Sequence, residues 1–302
     1  MPVLNRVGHL NRAVESVRAQ RLNDVEVIVV DGGSTDGTRE ALASMPDIKL
    51  IDAPDSSIYE ALNLGIKAST GELISHLNSD DSLAEGALPA VLAEAKRAPC
   101  AELYRGLARY VALGPEGTPE VLSRIDRAVT SALDFKTVLF GIPAINACVI
   151  RKSTYDRLGL YDERYRIASD REWLLRALIA DIHVHTFDIP FYEYLVHHGS
   201  LTMAERHPSE SRYAVEHLNI AAEWLRMIKD PVIKPMLYEW HAHEMMRFLL
   251  RPKNGLAWAP EVARAFQLSP AWPIRSIPPL LTAARRRMDA YFESERPSGL
   301  TA

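Results

Sequence analysis

Val27-Ile28-Val29-Val30 is an unbroken β-branched and aliphatic run that stops at Asp31-Gly32-Gly33-Ser34-Thr35-Asp36-Gly37. A strand with no polar alternation is buried on both faces, as strands are in a parallel sheet covered by helices. The glycine- and aspartate-rich stretch after it is a turn at the strand's carboxyl end. The flanking segments obey the same rule. Val7, Leu10, Val14 and Val17 recur at three- and four-residue steps and predict a helix with one apolar face. Ala41, Leu42 and Met45 mark a short helix, and Ile48 to Ile51 a second strand. Ile58 to Ala68 predicts a helix, Glu72 to Leu77 a third strand, and Leu83 to Arg97 another helix. Such alternation predicts an α/β fold: a mostly parallel central sheet with helices on its faces. A helix follows Met1-Pro2-Val3-Leu4-Asn5 directly, so the first strand is expected to be unusually short or to begin upstream of this sequence.

Further along, two short strands around Gly114-Pro115-Glu116-Gly117 predict a hairpin within Leu103 to Val121. Cys148 to Ile150 reads as a strand, and Lys152 to Leu158 and Ser169 to Ile179 as helices. Past Met203 the pattern is mostly helical, best seen in Arg212 to Ile228 and Val232 to Leu250. Glu295 to Ala302 reads as a frayed tail. The expected division is a domain over residues 1–203 and a mainly helical extension over 204–302.

With 302 residues, 47% of them apolar, the chain can bury a sizeable core. A formal charge of -4 disfavours a nucleic-acid partner. Cys100 and Cys148 stand apart with no CxxC spacing, which suggests neither a disulfide framework nor a zinc site and fits a reducing compartment. No apolar run approaches the ~20 residues that span a bilayer. The expected location is cytoplasmic.

Ligands of open α/β sheets sit beyond the carboxyl ends of the strands. Three polar clusters fall there: Pro2 to Arg6, Asp31 to Ser34, and Asn78-Ser79-Asp80-Asp81. Asp31 can accept from a nucleobase N–H or a ribose hydroxyl, or close an Asx turn. Asp80 and Asp81 repel each other unless donors or a cation offset them, and Mg²⁺ or Mn²⁺ bridging a diphosphate would do so. The competing reading is a helix start, where acidic side chains suit the orphan N–H groups. Asp170 and Glu172 open a helix without sharing a face, so one of them can aim at an acceptor hydroxyl as general base. His198, in His197-His198-Gly199-Ser200, is a candidate metal or phosphate ligand or a surface histidine. Arg6, Lys67, Arg166 and Arg171 are candidate diphosphate contacts or solvated surface charges.

Together the stretches PVLNRVGHLNRAVESVRAQ, VEVIVVDGGSTDGT, DSSIYEALNLGIKASTGELISHLNSDD and LGLYDERYRIASDREWLLRA resemble family 2 glycosyltransferases of the GT-A fold, in the family's order and spacing. The combination YEALNLGIKASTGELISHLNSDD within the third stretch is especially similar to a bacterial subgroup that builds surface or secreted polysaccharides. The resemblance implies a nucleotide-sugar donor, a saccharide or lipid-linked saccharide acceptor, and a divalent cation. It implies that Pro2, Asn5 and Arg6 lie against the nucleoside, that Asp31 reads the base beside Gly33, and that Asn63 and Lys67 flank the donor phosphates. It places Asp80 and Asp81 at the last two positions of a DxD-type motif, Asp81 on the metal with Asp80 helping, and Asp170 as the base of an inverting transfer. Asn78 beside the donor and His198 on the metal are added from the residues themselves. The DxD-type motif is aligned as Ser79-Asp80-Asp81, with Ser79 in the first position. A catalytically impaired donor-binding or scaffold subunit is the alternative. A nucleotidyltransferase lacks support because no glycine-rich loop with a following basic residue opens the chain. A nicotinamide dehydrogenase lacks it because no GxGxxG follows the first strand. Ser276 to Met288, with Leu280 and Leu281 beside Arg285, Arg286 and Arg287, is either a helix packed on the main domain or one that touches the inner membrane.

Overall fold

The computed structural model describes residues 1–114, 119–125, 133–197 and 209–249, together with Gln267. The chain divides into two compact units, Met1–His207 and Pro208–Ala302.

The first unit starts with three parallel strands in the order β1 (Pro2–Val3), β2 (Val27–Asp31) and β3 (Ile48–Asp52). β1 has only two residues, and Val30 N donates to Met1 O to extend its pairing. Helix α1 (Val7–Arg18) and the short α2 (Thr38–Ala43) cover this sheet through Val3, Leu10, Val14, Val29 and Leu42. Helix α3 (Ile58–Ala68) opens with a reciprocal cap in which Glu60 N donates to Ser57 Oγ and Ser57 N donates to Glu60 Oε2.

The second sheet runs β4 (Leu73–Ser75), β8 (Cys148–Arg151), β6 (Leu103–Leu113), β9 (Val184–Leu195) and β5 (Ser82–Leu83), with β7 (Pro119–Ile125) on the free part of β6. Here β6 and β9 are parallel, while β4–β8, β6–β8, β5–β9 and β6–β7 are antiparallel. The α/β class therefore holds, with its uniformly parallel part confined to β1, β2 and β3. β4, expected to extend that part, pairs antiparallel with β8 instead. The expected hairpin is present as β6 and β7, though residues 115–118 at its tip lie outside the described residues.

Helix α4 (Ala87–Arg97) packs on this sheet. It starts four residues later than the sequence pattern predicts. Ser82 and Leu83 instead pair with Glu193 and Tyr192 of β9, and Gly86 turns at φ +72° ahead of the helix. The core beneath α4 includes Leu88, Val91, Tyr104, Phe187 and Phe191. Gly106 is required there, because a Cβ on it would stand 2.6 Å from Phe191 Cβ. Three more helices follow: α5 (Phe135–Phe140), α6 (Lys152–Leu158) and α7 (Ser169–Ile179).

The second unit contains α8 (Ser209–Met227) and α9 (Ile233–Leu249), which bury Ala214, Leu218, Ala242, Met245 and Phe248 together. Ser276 to Met288 and Glu295 to Ala302 lie outside the described residues.

Candidate active site

The loop after β1 is stitched to the loop after β2. Asn5 N donates to Ser34 Oγ at 2.9 Å, and Thr35 N donates to Asn5 Oδ1 at 2.8 Å. Arg6 N reaches Thr38 Oγ1 at 3.0 Å, and Val7 N reaches Asp36 Oδ2 at 3.1 Å. Asn5 adopts φ 52° and Gly33 φ +97°, left-handed values that bend the two loops toward each other. Asp31 is fully buried at the end of β2. Its carboxylate accepts from Ser34 N at 3.1 and 3.2 Å and from Ser34 Oγ at 2.5 Å, with Arg39 Nη1 3.4 Å away. Both oxygens therefore have donors within the loop itself, as the Asx-turn reading requires.

The loop after β4 separates its two carboxylates. Asp81 is buried, with Oδ2 accepting from Tyr192 OH at 2.7 Å and Asn78 Nδ2 at 3.1 Å, and Oδ1 from Leu195 N at 2.9 Å. Burial, and after it the charge of Asp80, pushes the Asp81 carboxyl up to about 6 despite these donors. Asp80 faces the other way. Its Oδ2 lies 3.1 Å from His197 Nε2 and 3.7 Å from Arg6 Nε. The His197 ring stands 4.7 Å from that of His9. Burial first, and then His197, lowers the His9 pKa. Arg12 of α1 clamps the loop, donating to Asp80 O at 2.7 Å and Ser82 Oγ at 3.0 Å.

Asp170 stands in the first turn of α7. Its Oδ1 lies 3.0 Å from Tyr59 OH and accepts from Arg171 N at 2.8 Å. Its Oδ2 takes no hydrogen bond among the described residues. Glu172 is held instead by Arg176 Nε at 3.0 and 2.9 Å. Tyr194 of β9 packs between Tyr110 and Tyr192. Burial, and after it the charge of Asp81, raises its hydroxyl well above the usual value.

A carboxylate beside an imidazole after β4, a buried acid next to it in sequence and an acid in the first turn of α7 are all carried by the first unit. Residues 1–147 match the sequence profile described as Glycosyl transferase family 2. Over that stretch the chain is similar to family 2 glycosyl transferases. A PGL/p-HBAD biosynthesis glycosyltransferase of Mycobacterium tuberculosis is 28% identical over 196 residues, spanning 58% of this chain and 67% of that one. An uncharacterized glycosyltransferase of the same species is 34% identical over 184 residues, 58% of this chain and 66% of that protein. Among solved structures, S. aureus TarS 1-349 in complex with UDP-GlcNAc superposes with TM-score 0.66 at 16% identity, over 88% of this chain and 79% of that one. The mannosyltransferase PcManGT of Pyrobaculum calidifontis, bound to GDP-Man and Mn²⁺, gives 0.57 at 19% identity, over 96% and 79%. These likenesses establish the GT-A fold.

Within the glycosyltransferase fold, Pro2, Asn5, Arg6, Asp31, Gly33, Asn78, Asp80 and Asp81 gather on the loops after β1, β2 and β4. Asn63 is placed elsewhere. It is buried, accepting from Tyr161 N at 3.0 Å and donating to Tyr161 O and Glu163 Oε1, each at 2.9 Å. Lys67 is exposed on the last turn of α3, eight residues and so about 12 Å of helix rise beyond Tyr59. Arg171 donates to Val138 O and Gly141 O and so holds α5. His198 lies outside the described residues. The sequence reading missed Tyr59, His9, Arg12, Tyr192 and the role of His197. The aromatic run Phe191-Tyr192-Glu193-Tyr194 is the one local sign that β9 would reach this site.

No group of three or more His, Cys, Asp or Glu side chains poised around a metal occurs among the described residues. The donor chemistry of Asp80 and His197, one carboxylate and one imidazole 3.1 Å apart, suits a cation such as Mn²⁺ that also takes phosphate oxygens. Asp81 has its three protein donors already in place and fits that role less well.

Proposed function

We propose that this chain transfers a sugar from a nucleoside-diphosphate sugar to an acceptor hydroxyl with inversion, in the making of a polysaccharide or glycolipid. The observation that carries the reading is Asp170: one oxygen is fixed by Tyr59 and the Arg171 N–H, and the other takes no hydrogen bond among the described residues. In the proposed step Asp170 Oδ2 takes the acceptor proton as the acceptor oxygen bonds to the anomeric carbon. The bond from that carbon to the diphosphate oxygen breaks, and its electron pair leaves with the nucleoside diphosphate. Asp80 with His197 would hold a divalent cation, Mg²⁺ or Mn²⁺, which when bound offsets negative charge on the diphosphate. Arg6 adds positive charge beside Asp80. The stitched loops after β1 and β2 would seat the nucleoside.

The two superposed structures hold UDP-GlcNAc and GDP-Man, so likeness of fold leaves base and sugar open. Among the described residues no helix is long and apolar enough to cross a membrane. Cytoplasmic action on a lipid-linked acceptor, with peripheral contact at the inner membrane, is part of the same proposal. The test is release of nucleoside diphosphate across a panel of UDP-, GDP- and dTDP-sugars with Mn²⁺ and acceptor. Asp170→Asn is expected to lower turnover roughly 100-fold or more while donor still binds. A scaffold subunit would bind donor and release none, and that outcome would overturn the reading.

A further inference from the structure

We propose that Tyr59 is a positioning residue for Asp170, fixing which carboxylate oxygen meets the acceptor. The inference rests on the reading of Asp170 as general base. Tyr59 and Asn63 stand one turn apart on α3 and face the same way. Both reach across about a hundred positions of chain to the segment that ends in Asp170. Asn63 pins its start through Tyr161 N, Tyr161 O and Glu163 Oε1. Tyr59 pins its end, with its hydroxyl 2.9 Å from Ile167 O and 3.0 Å from Asp170 Oδ1. Helix α3 thus holds in register, from the donor half of the domain, the loop that delivers the acid.

Among the described residues the phenol's one proton has two acceptors. An ionised carboxylate is the stronger acceptor, so the proton goes to Oδ1 while Asp170 is charged. Together with the Arg171 N–H at 2.8 Å this gives Oδ1 two donors, and Oδ2 none among the described residues. The carboxylate cannot turn over without breaking both bonds, so Oδ2 stays the oxygen left for the acceptor's proton. When Oδ2 takes a proton and the charge is lost, Ile167 O offers the phenol an alternative acceptor at almost the same distance. The Tyr59 ring itself is buried against Tyr161, with centroids 5.4 Å apart, and a phenylalanine would keep that packing.

Tyr59→Phe separates this role from a structural one. Turnover and donor KM are measured with Mn²⁺, and rates are normalised to donor sites titrated by calorimetry, so that partial unfolding does not register as slower chemistry. The expected result is a kcat lower by roughly 10- to 100-fold with an unchanged donor KM. Asp170→Asn is run in parallel. If Asp170→Asn turns over at the wild-type rate, the general-base reading itself falls. If Asp170→Asn is inactive but Tyr59→Phe has wild-type kcat, only the positioning role falls. A rise in donor KM that accounts for the whole loss in Tyr59→Phe would also overturn it, because the phenol would then be serving the donor and not the base.

Discussion

The loops after β2 and β4 each lie at a buried carboxylate, Asp31 as the last residue of β2 and Asp81 beyond the end of β4, yet they satisfy it by different means. Asp31 finds its donors within eight residues, in Ser34 and Arg39. Asp81 finds two of its three more than a hundred residues away, in Tyr192 and Leu195 of β9. The first carboxylate is satisfied by near neighbours in sequence, while Ser34 Oγ also ties its loop to Asn5 N. The second depends on β5 pairing with β9, and that pairing also decides that Asp80, and not Asp81, looks toward His197. The comparison teaches that adjacent acids in a motif can divide the work, one holding the loop and the other turned toward His197 and Arg6.

The largest expected effect breaks the comparison at Asp80. Asp80→Ala is expected to lower transfer roughly 100- to 1000-fold and to remove Mn²⁺-dependent donor binding, with little change in melting temperature. Wild-type turnover in that variant would return the ligand role to Asp81. Asp81→Ala should show the opposite balance. It leaves Tyr192 OH, Leu195 N and Asn78 Nδ2 without their acceptor, at a cost of about 2–4 kcal/mol in unfolding free energy. A variant as stable as the wild type in urea titrations would contradict the inward placement.

His76, just ahead of the second loop, sharpens the contrast through pH. Its ring is buried between Tyr155 and Tyr161, with Nε2 3.4 Å and Nδ1 3.2 Å from their hydroxyls. Burial pushes its pKa down from 6.5 to about 3. Between these values the unfolded chain binds the proton and the folded chain does not, so stability rises with pH through that window and falls on acidification. At about 1.4 kcal/mol per unit, this one ring can account for a few kcal/mol. Urea titrations from pH 4 to 7 should show a shallower climb in His76→Gln than in the wild type, and parallel curves would refute the assignment. Ser34→Ala tests the first loop and should have the smallest effect, about 1 kcal/mol, since Asp31 keeps the Ser34 N–H and Arg39. A loss as large as that of Asp81→Ala would mean that Asp31 is not satisfied by its near neighbours.

How far the sequence reaches depends on how local each cause is. The run Val27 to Val30, the turn at Asp31, and the amphipathic helices α1 and α3 were legible because their apolar spacing and capping residues lie within one element. The start of α4 was misplaced because Ser82 and Leu83, apolar and polar in a pattern a helix would accept, are taken by β9. β9 itself gave only its aromatic run, since Pro190 and the register shifts against β6 interrupt its alternation. Asn63, assigned to the donor phosphates by resemblance, instead binds the segment at Tyr161, a contact 98 residues distant that no local pattern records.

The sequence by itself therefore determined the α/β class, the three strand-end clusters and the identity of the acids, because hydrophobic period and turn chemistry act over a few residues. The tertiary structure decided which acid of Asp80 and Asp81 faces outward, that His197 stands beside it, and that Tyr59 grips Asp170. Each of those depends on the pairing of β5 with β9 or the packing of α3 against the segment before α7. Such contacts join positions about a hundred residues apart, and the hydrogen bonds that orient a side chain exist only once those elements have met.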